Sequence, residues 1–504
     1  MTTTINNLNI TGTLKATKIL INSDSSSNTY VGTAALGFND NIESDSDSDG
    51  DYYFHDNTAF GFNTLTNDLS GNYNTAIGSK AMVNNSTGSN NEAIGFQSLY
   101  SNTNGNNNVA MGTSSLYSNT TGARNIAIGS NSLYTASTTA DNIGVGTSSL
   151  YSTTTGVQNI AIGTNSMYSN TTGVNNTSVG YNSLQANTIG TSNVAVGINS
   201  LYSNTTGVNN TAIGTNSIKT NTIGTNNTAV GINTLFSNTT GNSNVAVGVN
   251  TLYTNTIGVA NVAIGVGSLQ FNTTGANNTA VGFNTLYSNT TGTMNIAVGT
   301  NSLYNNTIGI NNVAIGNSTL YTNTTGQNNI AIGIASLYNN TTGGQNTSVG
   351  TSSLNNNTAG YHNTAVGHQS LQNNVVGIQS TAIGMNSLLK ATNSNNTALG
   401  YNSGTNVTSG TANTFLGYNT GTSVVTGNNV VCIGSNVDTG SDVSNRIIIG
   451  NSTNVSTTFN QTNSGRNPSL LFPNVTANND PHTVLQGWLP VNVGGNILYM
   501  PLYG

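Results

Sequence analysis

A glycine closing a step such as Ala-Ile-Gly or Ala-Val-Gly returns every seventeen residues from Gly61 to Gly384, nineteen steps without a slip and so twenty marks. A degenerate copy, ALGFN, places an earlier mark at Gly37, and Gly400, Gly417, Gly434 and Gly450 follow, two of these intervals being sixteen. About 25 units therefore cover residues 28–450. A unit this short cannot bury its own apolar face, so successive units must stack in register and supply each other's core. The expected fold is all-β, a parallel β-solenoid or β-roll. Only 4% of the residues are charged and Gly, Asn, Thr and Ser abound, which by composition alone reads as disorder; the strict period argues against it.

The unit reads position by position with Asn210 as position 1. Position 3 is Ala or Ser in nearly every copy, position 4 mostly Ile or Val, position 5 Gly, position 9 Leu, Ile or Met, and position 15 Gly except at Thr139 and Ser394. Alternation along a strand puts positions 2 and 4 on one face and position 3 on the other. The expected core is therefore position 4 with the leucine of position 9, helped by apolar residues at positions 2 and 14. Two short strands and two tight turns per coil are expected, with the glycines of positions 5 and 15 at the bends. Asn at positions 1, 7 and 12 is placed to form amide ladders from coil to coil. The core is thin, and the small residue at position 3 would let a second copy approach closely. A homo-oligomer, a trimer, is therefore expected.

The step NxA[IV]G followed by xxS, as in Asn125-Ile-Ala-Ile-Gly129-Ser-Asn-Ser132, resembles the head repeat of trimeric autotransporter adhesins over about residues 33–450. The resemblance implies left-handed coils, three-fold assembly and a surface role in attachment. The period of seventeen is longer than that family's repeat. Virion and phage fibre proteins carry similar repeats, and they would fit a chain whose start, MTTTINNLNI, has no signal-peptide pattern. No stretch approaches the apolar length of a membrane span. The expected setting is a virion surface, with an extracellular, cell-surface adhesin as the alternative.

Three further features bear on function. Between Gly37 and Gly61 an insertion at about residues 41–56 carries Asp45, Asp47, Asp49, Gly50, Asp51 and Asp56; carboxylates at alternate places with Gly at the sixth suit calcium, a hard cation that takes six to eight oxygens. Position 10 is tyrosine at Tyr100, Tyr117, Tyr134, Tyr151, Tyr168, Tyr202, Tyr253, Tyr287, Tyr304, Tyr321 and Tyr338. Such an outward row suits a glycan or host-surface receptor, or simply stacks upon itself. From residue 93 to 437 the only formal charges are Arg124, Asp141, Lys219 and Lys390, so no phosphate-tracking groove exists and nucleic acid is not an expected partner.

The ends differ from the array. Residues 1–27 carry short alternating runs suited to capping or attachment strands. Residues 451–504 hold all five prolines of the chain, from Pro468 to Pro501, together with Trp488. Within them VLQGWLPVNVGGNILYMPLYG predicts a strand pair turning at Gly494-Gly495, a small C-terminal β cap or trimerisation knob. Cys432 has no partner for a disulfide. No paired catalytic carboxylates, nucleophile elbow or phosphate loop is present, and His55, His362, His368 and His482 form no ligand set; an enzyme is not expected. A third possibility is an ice-binding surface, since uncharged Thr and Asn ladders can match an ordered lattice.

Overall fold

The structure is a computed structural model describing residues 29–31, 56–450, 457–460, 485–493 and 496–503, with side chains over residues 56–450. The chain divides into two compact units, residues 1–240 and 241–504. The first holds β1 (Thr29–Val31) and a parallel series from β2 (Thr58–Phe60) to β12 (Thr228–Val230). The second begins at β13 (Val245–Val247) and continues in parallel to β25 (Arg446–Ile449). Pairing follows the repeat: Ala195 lies opposite Ala212 and Val196 opposite Ile213. No helix occurs among the described residues. Each unit is thus a parallel β-solenoid with the seventeen-residue period.

Each coil contributes one strand rather than the expected two, of three residues throughout except for the four of β24 (Val430–Ile433) and β25. After the strand the backbone enters left-handed conformations at positions 7 and 9, as at Asn199 (φ 54°) and Leu201 (φ 49°), so positions 6–11 form turns in place of a second strand. A left-handed leucine is unfavourable by about 1–2 kcal/mol, yet it recurs in nearly every coil. The conformation carries the side chain inward, where Leu201 is fully buried, and its N–H donates to the Ser217 carbonyl of the next coil. Gly197 sits at φ 129°, and a Cβ there would come within 2.7 Å of the Gly214 carbonyl.

The strand faces are inverted relative to expectation. Ala212 and Ala229 at position 3 are fully buried, whereas Ile213 at position 4 is 41% exposed. The interior is therefore the alanine of position 3 against the leucine of position 9, and position 3 is small because the coil is too narrow for more. The exception demonstrates the limit. Phe415 occupies position 3 and is fully buried, but position 9 in its own coil and in the one before is glycine, and a Cβ at Gly404 would come within 2.6 Å of the Phe415 ring.

The remaining interior of the regular coils is polar, and its amides are paired except where a row is interrupted. Asn210 (position 1) donates from Nδ2 to Asn193 Oδ1 at 3.2 Å and to the Gly224 carbonyl at 2.8 Å, while its backbone N–H reaches Asn193 Oδ1 at 3.0 Å. Asn221 (position 12) donates to Asn204 Oδ1 at 2.8 Å and to the same Gly224 carbonyl at 3.0 Å. Both asparagines are fully buried. A third ladder runs at position 7, as from Asn216 to Asn233. Buried amides paired on every side add direction as well as stability.

At the start, β1 pairs with β2 with Thr29 opposite Thr58. Gly37 as a position-5 mark places that strand at residues 34–36, so the first coil begins five residues earlier than the ALGFN copy suggests. At the other end β26 (Thr457–Asn460) lies antiparallel to β25. An antiparallel hairpin of β27 (Leu485–Val493) and β28 (Asn496–Tyr503) has Val493 opposite Asn496, which puts its turn at Gly494-Gly495 as the sequence predicts.

Candidate binding surfaces

Because position 3 faces inward, the surface available to a second copy is the opposite one. Along the strands the outward rows are Thr, Val or Ile at position 2 and Ile or Val at position 4. Position 6 joins them with Phe62, Phe96, Tyr181, Ile198, Ile232 and Phe283, the last 51% exposed. Glu92 in β4 (Glu92–Ile94) is a charged member of the position-2 row. Sequence reasoning missed this surface because it assigns position 4 to the core. The available signal is the size difference between positions 3 and 4, which favours the smaller residue inside a narrow coil.

The eleven position-10 tyrosines are half-buried on the coil surface. Tyr100, Tyr117, Tyr134, Tyr151 and Tyr168 stack with centroids 4.9–5.1 Å apart and planes within 8°. Tyr287, Tyr304, Tyr321 and Tyr338 repeat this in the second unit, with Phe271 edge-on to Tyr287. Ring faces inside a stack are thus occupied by neighbouring rings, leaving edges and hydroxyls outward. Burial between neighbours, then the like charge each phenolate would feel, raises the Tyr151 and Tyr304 hydroxyls above the ordinary value. Tyr202 lies between Gln185 and Lys219 in the row, and Lys219 Nζ rests 5.3 Å from the Phe236 ring centroid.

The acidic residues serve different purposes. Asp45, Asp47, Asp49 and Asp51 lie outside the described residues; Asp56 is exposed at φ 60° just before β2. Among the described residues no cluster of three or more His, Cys, Asp or Glu could hold a metal ion. Asp68 takes the place of asparagine at position 12 in the coil of β2. It is 6% exposed and accepts from Gly71 N–H at 2.9 Å and Asn85 Nδ2 at 3.2 Å through one oxygen, the other being unpaired. Burial pushes its pKa up to about 7. Asp141 and Arg124 form an exposed two-pronged ion pair at 2.6 and 2.9 Å across adjacent coils, which holds the Asp141 carboxyl below its ordinary value.

Asp438 and Asp442 do something no motif suggests. In regular coils the N–H groups of positions 13–15 converge on one carbonyl of the following coil, as Thr222, Ile223 and Gly224 do on Thr239. In the last full pairing the corresponding Val425, Thr426 and Gly427 N–H groups donate instead to Asp442 Oδ1, each at 2.9 Å. The Thr426 hydroxyl adds a bond at 2.6 Å. Hydrogen bonds from the Thr426 hydroxyl and from these N–H groups pull the Asp442 pKa down to about 2. Asp438 likewise accepts from Ser423 N–H and from the Thr422 hydroxyl. The two side chains stand in for backbone that has left its regular path. Cys432 at position 3 is buried, and burial pushes its thiol up to about 12.

These features define the chain as a parallel β-solenoid repeat protein. No family model matches it, and neither the curated proteins nor the solved structures contain a significant match. Among the described residues no helix is long and apolar enough to cross a membrane.

Proposed function

We propose that this chain is a non-enzymatic structural fibre protein of a virion surface, associating as a trimer through the outer strand face and serving host attachment or the display of a binding tip. The observation that carries the reading is the row of half-exposed Ile and Val at position 4, flanked by positions 2 and 6, on a surface almost without charge. Contiguous apolar surface of that extent marks an interaction site. Another copy is its natural cover, because identical coils repeat at identical intervals and can match row for row. The same surface recurs about twenty times, whereas catalysis needs one unique constellation. The likeness to adhesin heads and fibre repeats supports the same setting.

The direct test is mass in solution by light scattering. A trimer is expected, and Ile162→Lys with Val179→Lys and Val196→Lys should yield a folded monomer; a monomeric wild-type chain removes the proposal. A secreted cell-surface adhesin would use the same face, and locating the protein on cells rather than on particles would favour it. Thermal hysteresis in dilute solution would favour the ice-binding alternative. Calcium at Asp45, Asp47, Asp49, Asp51 and Asp56 rests on the loop's sequence alone. Asp45→Asn with Asp47→Asn should lower the melting temperature only when calcium is present, and an equal effect without the ion removes that site.

A further inference from the structure

The stacked tyrosines have an unspent capacity. Their ring faces are covered by one another, yet among the described residues none of the nine hydroxyls of Tyr100, Tyr117, Tyr134, Tyr151, Tyr168, Tyr287, Tyr304, Tyr321 and Tyr338 has a hydrogen-bond partner in the protein. Each phenol can donate one hydrogen bond and accept others. We propose that each row binds an extended, uncharged β-1,4-linked polysaccharide of the cellulose or chitin type, lying along the row with one sugar per tyrosine.

Three observations converge on that class. The first is spacing. The rows advance by one strand spacing, about 4.8 Å, per coil, with centroids 4.9–5.2 Å apart. A β-1,4-linked chain is a flat ribbon whose sugars repeat at close to this rise, so successive rings meet successive sugars, alternately flipped but offering the same kinds of group. Glycans with compact or helical backbones fall out of step after two or three rings.

The second is chemistry. A sugar lying across ring edges and hydroxyls offers C–H groups to the former and O–H groups to the latter, which suits an amphipathic side chain with an apolar body and a polar tip. Because the sites are fixed in line on one scaffold, each further sugar binds at high effective concentration, and affinity should climb with chain length.

The third is charge. The coils of the first row carry Arg124 and Asp141, which pair with each other, and the acidic Glu92 in the strand of the Tyr100 coil, while between residues 220 and 389 the sequence has no formal charge at all. Nothing there would hold a sulfate or carboxylate, so acidic polysaccharides lack a reason to bind.

This names the ligand class for the attachment reading above and rests on it for its biological setting. The experiment uses the full chain, titrated calorimetrically with cellohexaose and chitohexaose, their disaccharides, and hyaluronate as the acidic control. Saturable binding of at least one neutral hexaose, much weaker binding of its disaccharide and none of hyaluronate are expected. Tyr117→Phe with Tyr134→Phe and Tyr151→Phe keeps the stack and removes three hydroxyls. The corresponding changes Tyr304→Phe and Tyr321→Phe treat the second row. Together these should weaken binding roughly tenfold or more without altering thermal unfolding, since several hydrogen bonds are lost. No saturable binding of either neutral hexaose overturns the proposal, as does binding indifferent to the Phe variants or equal binding of hyaluronate. If particles attach to host cells equally well with the Phe variant and with saturating hexaose, the ligand assignment fails while attachment stands. If particles do not attach at all but the hexaose binds, attachment fails while the site stands.

Discussion

The coils between residues 170 and 390 and those after residue 391 solve the same packing problem with opposite chemistry. In the former, position 12 is asparagine from Asn170 to Asn238 in the first unit and from Asn255 to Asn374 in the second, and within each unit the interior is Ala, Leu and linked amides. In the latter, Ala391, Val407 and Val424 replace the asparagine, Phe415 replaces an alanine, and glycines at 404 and 421 make room for it. Wherever the amide row stops, an acceptor is left without a donor: Asn374 Oδ1 before Ala391, and Asn119 Oδ1 before Ala136 in the first unit. An amide interior thus works while it continues, and each break carries a local cost. The apolar interior has no such memory of its neighbours but demands volumes that match.

The largest expected effect tests that volume match. Phe415→Ala should destabilise the last coils by about 3–5 kcal/mol, and Gly404→Leu with Gly421→Leu should recover much of it by restoring the regular Ala and Leu core. Failure of the rescue would mean that the final coils differ from the others in more than side-chain volume. Hydrogen exchange is the suitable measurement, because long repeat arrays need not unfold as one cooperative unit.

Next comes the amide row. Asn187→Ala removes donors to Asn170 Oδ1 and the Gly190 carbonyl and the acceptor of Asn204 Nδ2. A local loss of about 2–4 kcal/mol is expected from orphaning buried groups. The converse is smaller: Ala136→Asn with Thr153→Asn completes the row between Asn119 and Asn170 and should slow exchange in those coils by the equivalent of about 1–2 kcal/mol. No gain there would show that the ladder contributes register rather than stability.

Acid and base should act on different coils. The Asp68 pKa is raised to about 7 from 3.8, so its contribution is full below pH 3.8 and is lost as pH rises through about 7. Asp68→Asn should remove that slope in the coil of β2. The Asp442 pKa is lowered from 3.8 to about 2, so its contribution is full above pH 3.8 and is lost as pH falls through about 2. Exchange rates at Val425, Thr426 and Gly427 would report it. The smallest effect is expected at the exposed Arg124–Asp141 pair, where Asp141→Asn should leave stability unchanged within error.

Much of this is legible in the residues. The period, the bends at the glycines of positions 5 and 15, the buried position 9, the amide ladders and the Gly494-Gly495 turn all follow from spacing and side-chain chemistry. What alternation cannot decide is which strand face is inside. Ile213 is the more apolar residue and Ala212 the smaller, and the narrow coil selects by size. The left-handed leucine is likewise hidden, because nothing in the sequence leads one to expect that conformation in a branched, non-glycine residue. The tyrosine row is visible as a row, but whether its faces or its edges meet solvent depends on ring orientation.

The one-way hand-off of each position-12 amide to the coil before it has an evolutionary corollary. Cutting out or duplicating seventeen residues within either unit rejoins surfaces that are already complementary, so no compensating change elsewhere is needed. Recombination between near-identical segments of the gene could then set the reach of the protein by whole increments, and natural isolates would differ by multiples of one module far more often than by fractions of it.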